Sequence, residues 1–483
     1  MTPNPSYVGP RQAVVLIHGI GEQRPMATLR AFVEWLLPSH GKNHDYYSKP
    51  DQISGSFELR RIKLKRSSEQ SLNLDWPETD FYEYYWAHQM HGTTILHVVR
   101  WLSRVTGAAW RHRRSKEVRW VFRRGCREPL IVVGLAALIA LVGWVLLVMP
   151  WLGALKAASL AAAALGLVWW GVRMVGTFAV LGVVGDAARY LDVHPSNVAR
   201  RYDILRHGVS MLRKFHEDHD ELAGEVRYRY GRVVLVGHSL GSVIAYDIIK
   251  HYWADVNGKL RIEGRSAELL KAVAGYDPPP MAEFAPPRGH KDPDRFRQAQ
   301  ANAWSSINKP TSPAEILSKT GFPHPRWLVS DLVTLGSPLA YARLLLADGP
   351  ADLDSKVKLR ELPTCPPDRS TTANEGYYTV QLSAEAVSME DYSIIHHAAP
   401  FALTRWTNFH LRNDPVGYCL RGVLGEGIRD ISIDHGPGMF KAHTSYWPIG
   451  ACDRAWRKKV RDEMLSILQE PECCRRQGRV LRC

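Results

Sequence analysis

Gly237-His238-Ser239-Leu240-Gly241 is a GxSxG pentapeptide, and Ser239 is the residue in it that could do chemistry. A serine hydroxyl is a weak nucleophile until a base takes its proton and hydrogen-bond donors receive the developing oxyanion. The flanks suit that task. RVVLVG (232–237) reads as a buried strand, and SVIAYDIIKHYW (242–253) as an apolar helix. A strand-to-helix turn this tight needs glycine two positions either side of the serine. It lifts the hydroxyl above the sheet edge and brings a helix N-terminus to the developing charge. A glycine-rich turn without chemistry is the plain alternative, and the strand and helix around the pentapeptide favour the nucleophile.

Four further motifs accompany VGHSLG (236–241): IHGIGEQ (17–23), LGSP (335–338), NDPVG (413–417) and HTSYW (443–447). Together they resemble the α/β-hydrolase lipases and esterases, in particular the serine-lipase branch that includes the GPI inositol-deacylase-like and related membrane-associated lipases. The resemblance covers most of the chain outside 100–185. It implies the fold and a carboxylic-ester hydrolase, and it implies no particular substrate. In that fold one oxyanion donor comes from the loop after the first strand, here the backbone N–H of Ile20 or Gly19, and the second from Leu240. The acid is expected at the end of a later strand. Asp414 fits, with RWTNFHLR (405–412) before it and Pro415 ending the pairing, although Asn-Asp-Pro is also an ordinary turn. Asp331 is the alternative, inside an expected strand. The base comes last. His443 lies 29 residues after Asp414 and His435 competes with it; the HTSYW context of the family favours His443. Glu22 and Gln23 flank the oxyanion loop, as orienting groups or as plain surface. An acyltransferase would use the same triad, and a non-catalytic membrane scaffold could keep the same fold.

His88, His91 and His97, or His396 and His397, have no carboxylate or cysteine at a supportive spacing, so neither a metal nor another cofactor is expected. Seven cysteines without paired spacing fit reduced thiols in the cytosol.

These residues need elements to hold them. AVVLIH (13–18) is a buried strand, 26–37 a helix stopped by Pro38, and FELRRIKL (57–64) and DFYEYYW (80–86) are strands. A helix is expected from His88 to Trp101, another over 198–216, and further strands at 327–336 and 405–412. Apolar strands alternating with helices predict an α/β fold, a mostly parallel sheet with helices on both faces. Residues 278–325, with ten of the thirty prolines and a helix at 294–305, and residues 347–376 interrupt this rhythm as lid insertions or surface loops.

The chain has 483 residues, 45% hydrophobic and 23% charged, enough for a large core. Its net charge of +14 is concentrated. Residues 111–127 carry eight Lys/Arg against one Glu, directly before the uncharged run LIVVGLAALIALVGWVLLVM (130–149). Twenty residues at 1.5 Å rise reach roughly 30 Å, a hydrocarbon core. A second run, 152–172, carries only Lys156, near the turn. The basic cluster therefore reads as a topology signal and a contact for anionic lipids, not for nucleic acid. The expected organisation is a hydrolase part over 1–110, a basic juxtamembrane segment 111–127, a membrane hairpin over 128–185 and the rest of the hydrolase over 186–483. Basic flanks on both sides, and an N-terminus MTPNPSYVGPRQ without a signal pattern, place the hydrolase on the cytoplasmic side of an integral membrane protein. The expected partners are the bilayer and an acyl-ester substrate, and the oligomeric state stays open.

Overall fold

The computed structural model describes residues 11–19, 24–37, 46–54, 58–64, 78–89, 166, 190–191, 195–222, 225–262, 264–275, 293–308, 326–368, 378–382, 392–434, 442–447 and 455–469. The chain divides into two compact units, one of residues 1–89, 199–343 and 350–483, the other of 90–198 and 344–349. Nearly all described residues belong to the first.

Its strands are β1 (Arg11–Ile17), β2 (Tyr46–Pro50), β3 (Arg60–Leu64), β4 (Thr79–Tyr84), β5 (His219–Leu222), β6 (Glu225–Tyr228), β7 (Tyr230–His238), β8 (Arg261–Ile262), β9 (Val329–Leu335), β10 (Thr379–Leu382), β11 (Tyr392–Ile395), β12 (Arg405–Leu411) and β13 (Arg429–Ile433). Eight of them form one sheet in the order β13-β12-β9-β7-β1-β4-β3-β2. The six strands from β13 to β4 are mutually parallel, and the antiparallel pairings β4–β3 and β3–β2 complete one edge. A parallel strand is buried on both faces, which is why AVVLI and VVLV read as continuous apolar runs. Strands β10, β11 and β8 form a small second sheet, and β5 with β6 a hairpin.

The helices used below are α1 (Ala27–Leu36), α2 (Pro195–Glu217), α3 (Leu240–Val256), α4 (Gly264–Gly275), α5 (Pro293–Ile307), α6 (Pro350–Lys358), α7 (Arg421–Leu424) and α8 (Ala455–Leu468). Helices α1 and α8 cover one face: Leu29, Phe32, Leu36, Val460 and Met464 pack with Val14, Leu16, Val234, Val236 and Phe409. The opposite face carries α2, α3 and α5. There Phe215 meets Tyr82 edge-on, Ile248 closes on Gly208, and buried Arg297 donates to Trp406 O at 2.9 Å.

Asp331, the alternative acid, sits near the start of β9, away from the end that carries Ser239, and lies 2.7 Å from both Arg232 and Arg405. The described part of 278–325 is mainly α5, a packed helix. Its Gln300 satisfies the carbonyls of Phe401 (2.6 Å) and Thr404 (3.2 Å), which a movable cover would leave orphaned. Within 347–376, residues 361–368 are tied down after α6: Cys365 N donates to Leu424 O at 2.9 Å, and Gly427 N to Cys365 O at 2.7 Å. Of the helix expected from His88, only a short turn at Ala87–Gln89 is described. Among the described residues no helix is long and apolar enough to cross a membrane. The expected spans, 130–149 and 152–172, and the basic segment 111–127 lie outside the described residues, Gly166 alone excepted.

Candidate active site

Parallel strands end together, and loops from their C-terminal ends converge on one edge of the sheet. Here β1 is followed by His18 and Gly19, β7 by Ser239, β9 by Gly336, β12 by Asp414, and β13 by the segment 442–447 that bears His443. Five neighbouring strands thus deliver the expected site residues to one edge.

Ser239 occupies the turn between β7 and α3 with φ 53° and ψ −129°, a left-handed conformation that few non-glycine residues adopt. Its neighbours must be glycine because backbones meet there. A Cβ on Gly237 would lie 2.5 Å from Ser242 Cα, and one on Gly241 would collide with Ile17 O and His18 O. Ser239 N donates to Leu335 O at 2.9 Å, pinning the turn to β9. Ser242 Oγ lies 2.7 Å from Ser337 Oγ beneath it.

His443 Nε2 lies 2.7 Å from Ser239 Oγ. On the other side of the ring, Nδ1 is 3.1 Å from both carboxylate oxygens of Asp414. With Nδ1–H donating to Asp414, Nε2 is the acceptor for the serine proton. Asp414 is wholly buried, yet its pKa lies below the ordinary carboxylate value. Burial opposes ionisation there. The hydrogen bond and charge of His443, the Tyr446 hydroxyl at 2.6 Å and the Val416 N–H at 2.8 Å outweigh it.

Two glycines make room for this pair. Gly336 has φ +58°, and a Cβ on it would come within 2.8 Å of Asp414 Oδ2 and of the Tyr446 ring, and 3.1 Å of His443 Nδ1. A Cβ on Gly417 would strike the backbone of Gly336. His238 supports the histidine from behind. Its ring stacks on that of His443 (centroids 5.1 Å apart, 26° between planes), and its Nε2–H donates to the His443 carbonyl at 2.9 Å. Burial pushes His238 down to about 3, so it is neutral, and a second cation does not arise beside the base.

Comparison with family models, with curated proteins and with solved structures gave no match. The site is therefore read from its own geometry.

Of the expected oxyanion donors, Leu240 is the first residue of α3, so its N–H is one of the four that have no partner within the helix. Gly19 lies against the nucleophile: a Cβ on it would be 2.8 Å from Ser239 Cβ. Ile20, Glu22, Gln23 and the competing base His435 lie outside the described residues, as do His91 and His97. His88 stacks on Tyr85, and buried His396 accepts from Ala398 N at 3.2 Å, an ordinary turn bond. Among the described residues no cluster of three or more His, Cys, Asp or Glu could hold a metal.

The motifs LGSP, NDPVG and HTSYW carry no sequence signal for the roles of Gly336, Gly417 and Tyr446 within them, and nothing in the sequence singles out Trp86 or Glu83. Trp86 Nε1–H donates to His18 O at 2.9 Å, and its ring stacks on His18, which fixes the turn that carries Gly19. Glu83 accepts from Met26 N at 2.6 Å. Burial holds its carboxyl up near 7.

Proposed function

We propose that this chain is a serine hydrolase of the α/β-hydrolase fold that cleaves carboxylic esters, with lipid or other apolar acyl groups as its substrate class, and that a hydrophobic hairpin anchors it in a membrane. The observation that carries the reading is the Ser239–His443–Asp414 relay, set on a strand–turn–helix at the C-terminal edge of a parallel sheet. Ser239 Oγ attacks the acyl carbon while His443 Nε2 takes its proton. The tetrahedral oxyanion is received by the N–H of Leu240 and a donor from the loop that begins at Gly19. On collapse, the bond to the alcohol breaks and His443 returns the proton to the leaving oxygen. Water, deprotonated by His443, then releases the acyl group and restores Ser239. Asp414 holds the ring in the required tautomer and stabilises the imidazolium.

The test is labelling with a fluorophosphonate and turnover of a panel of acyl esters. Wild type is expected to label and turn over, and Ser239→Ala to do neither while remaining folded. Equal labelling of Ser239→Ala would move the nucleophile elsewhere.

The anchor rests on the uncharged run 130–149, the run 152–172 and the basic cluster before them. Strand pairing adds support. β4, before these runs, and β7, after them, both pair with β1. The chain must return to the side it left, so the number of crossings is even. Full-length protein should stay in the membrane pellet through alkaline carbonate, and release would remove the anchor. Cys126 should resist an impermeant thiol reagent outside intact cells, and a Gly153→Cys variant should react. Cys419 is a poor reporter. Burial, then Asp430, to which its thiol donates, push it up to about 12.

A further inference from the structure

Tyr446 sits three residues after His443, with 1% of its surface exposed, and its hydroxyl is not placed by packing alone. It donates to Asp414 Oδ2 at 2.6 Å and accepts the N–H of Leu411, the last residue of β12, at 3.2 Å. Asp414 follows that strand by three residues, and Asp414 N donates to Leu411 O at 2.9 Å. One phenol therefore joins three things: the end of β12, the acid that β12 delivers, and the segment that bears the base. That segment, 442–447, is bound to a single carboxylate at two points, the His443 ring and the Tyr446 hydroxyl. The Tyr446 ring is wedged between Gly336 and the His238 ring (centroids 5.7 Å). Rotation to another partner is closed to it.

We propose that Tyr446 is a positioning residue that latches the His443 segment onto Asp414 and sets how strongly Asp414 holds the imidazole. The proposal rests on the serine-hydrolase reading for its catalytic consequence, but the latch is a property of the pair itself. A charge-assisted hydrogen bond of this length disperses the carboxylate charge. Without it, Asp414 keeps more charge for His443, so the imidazolium is held to higher pH, and the segment loses one of its two ties. The other titratable groups facing the pair are His238, from β7, and His410, from β12. Burial lowers both: His238, down to about 3, is neutral beside the pair, and at His410 the charges of Asp430, Asp414 and Asp434 work against the burial. Tyr446 is itself pushed far above the ordinary phenol value, first by burial and then by the Asp414 charge, so it stays a donor throughout.

The test is Tyr446→Phe in the full-length protein, which keeps the ring and removes the hydroxyl. With p-nitrophenyl acetate, kcat should fall about tenfold to a hundredfold, because a segment held at one point instead of two lets His443 move by up to about 1 Å from Ser239, while KM changes less than about twofold, as expected when only transition-state stabilisation is lost. The acid limb of kcat/KM should move to higher pH. The same shift should appear in an NMR titration of the His443 ring in histidine-selectively labelled protein, assigned by loss of the signal in His443→Gln. That readout needs no turnover, so it separates failure of the latch from failure of the hydrolase reading, which wild-type fluorophosphonate labelling decides. A fall in kcat with an unmoved His443 titration would make Tyr446 merely structural and overturn the proposal, as would an unchanged kcat. If the Phe variant does not fold, 3-fluorotyrosine placed at 446 keeps the hydroxyl and makes it a stronger donor. The His443 titration should then move to lower pH, and no movement would overturn the proposal.

Discussion

At the scale of residues, two buried aspartates at opposite ends of adjacent strands do different work, and their partners tell them apart. Asp331 pairs across β9–β7 with Val234, four residues before His238, which at 3.3 Å per residue sets it about 13 Å from the nucleophile turn. Its charge is held by Arg232 and Arg405, its pKa well below the carboxylate range. Burial works against that ionisation, and the two guanidiniums prevail. Asp414 faces a histidine that faces a serine. Asp414→Asn should leave the fold intact and lower turnover about a thousandfold or more, because an amide cannot hold the ring in the right tautomer or stabilise the imidazolium. Asp331→Asn leaves the buried Arg232 and the part-buried Arg405 without their carboxylate and should cost about 3–5 kcal/mol of stability. The activity of each remaining folded molecule should be unchanged. Turnover normalised to folded fraction, with urea unfolding for each variant, makes the comparison. The opposite pattern would return the acid's role to Asp331.

At the scale of elements, most of what holds the site was legible in periodicity. Strands expected at 13–18, 232–237, 327–336 and 405–412 are found at Arg11–Ile17, Tyr230–His238, Val329–Leu335 and Arg405–Leu411. Continuous apolar runs such as 13–17 and 233–236 have few other uses. The helix expected at 294–305 is found at Pro293–Ile307, but what fixes it was not legible. Helix α5 packs through Arg297 and Gln300, polar residues that become buried only because unpaired carbonyls at 401, 404 and 406 receive their donors. No single-sequence pattern announces such pairings across a hundred residues. Gly336 is a similar case. LGSP reads as a turn, but the need for glycine comes from the three side chains above it. Gly336→Ala forces a Cβ at φ +58° against Asp414, Tyr446 and His443. A displacement of about 1 Å at a reacting pair costs about a hundredfold in rate. Turnover should fall at least that far, with a modest loss of stability from the strained φ. Wild-type turnover in Gly336→Ala would mean that the loop relaxes without moving the pair.

At the scale of the whole molecule, the core carries neutral histidines that an unfolded chain would protonate. Burial lowers His18 to about 4, and His216 and His238 to about 3. His216 is committed to the neutral form by geometry as well: Nδ1–H donates to Leu212 O at 2.8 Å, and Nε2 accepts Leu328 N at 2.9 Å, a bond that protonation would break. Below the ordinary histidine value of about 6.5, the unfolded chain takes up protons that the folded chain refuses, so stability falls as pH drops from about 6.5 toward 4. Glu83 works in the other direction. Its folded value near 7 exceeds its unfolded one, so the folded chain keeps a proton that the unfolded chain loses, and stability falls as pH rises from about 4.5 through 7. Between pH 5 and 6 the three histidines outnumber the one carboxyl by two protons, a slope of about 2–3 kcal/mol per pH unit. Glu83→Gln keeps an acceptor for Met26 N–H and cannot ionise. It should raise stability at pH 8 by as much as about 3 kcal/mol, change it little at pH 4.5, and steepen the acid slope toward three protons. Urea unfolding free energies of wild type and Glu83→Gln at pH 5, 6 and 8 test both halves. A flat wild-type profile from 6.5 to 5 would mean that the buried histidines are protonated in the fold. An equal gain for Glu83→Gln at all three pH values would mean that the Glu83 carboxyl does not titrate against the fold.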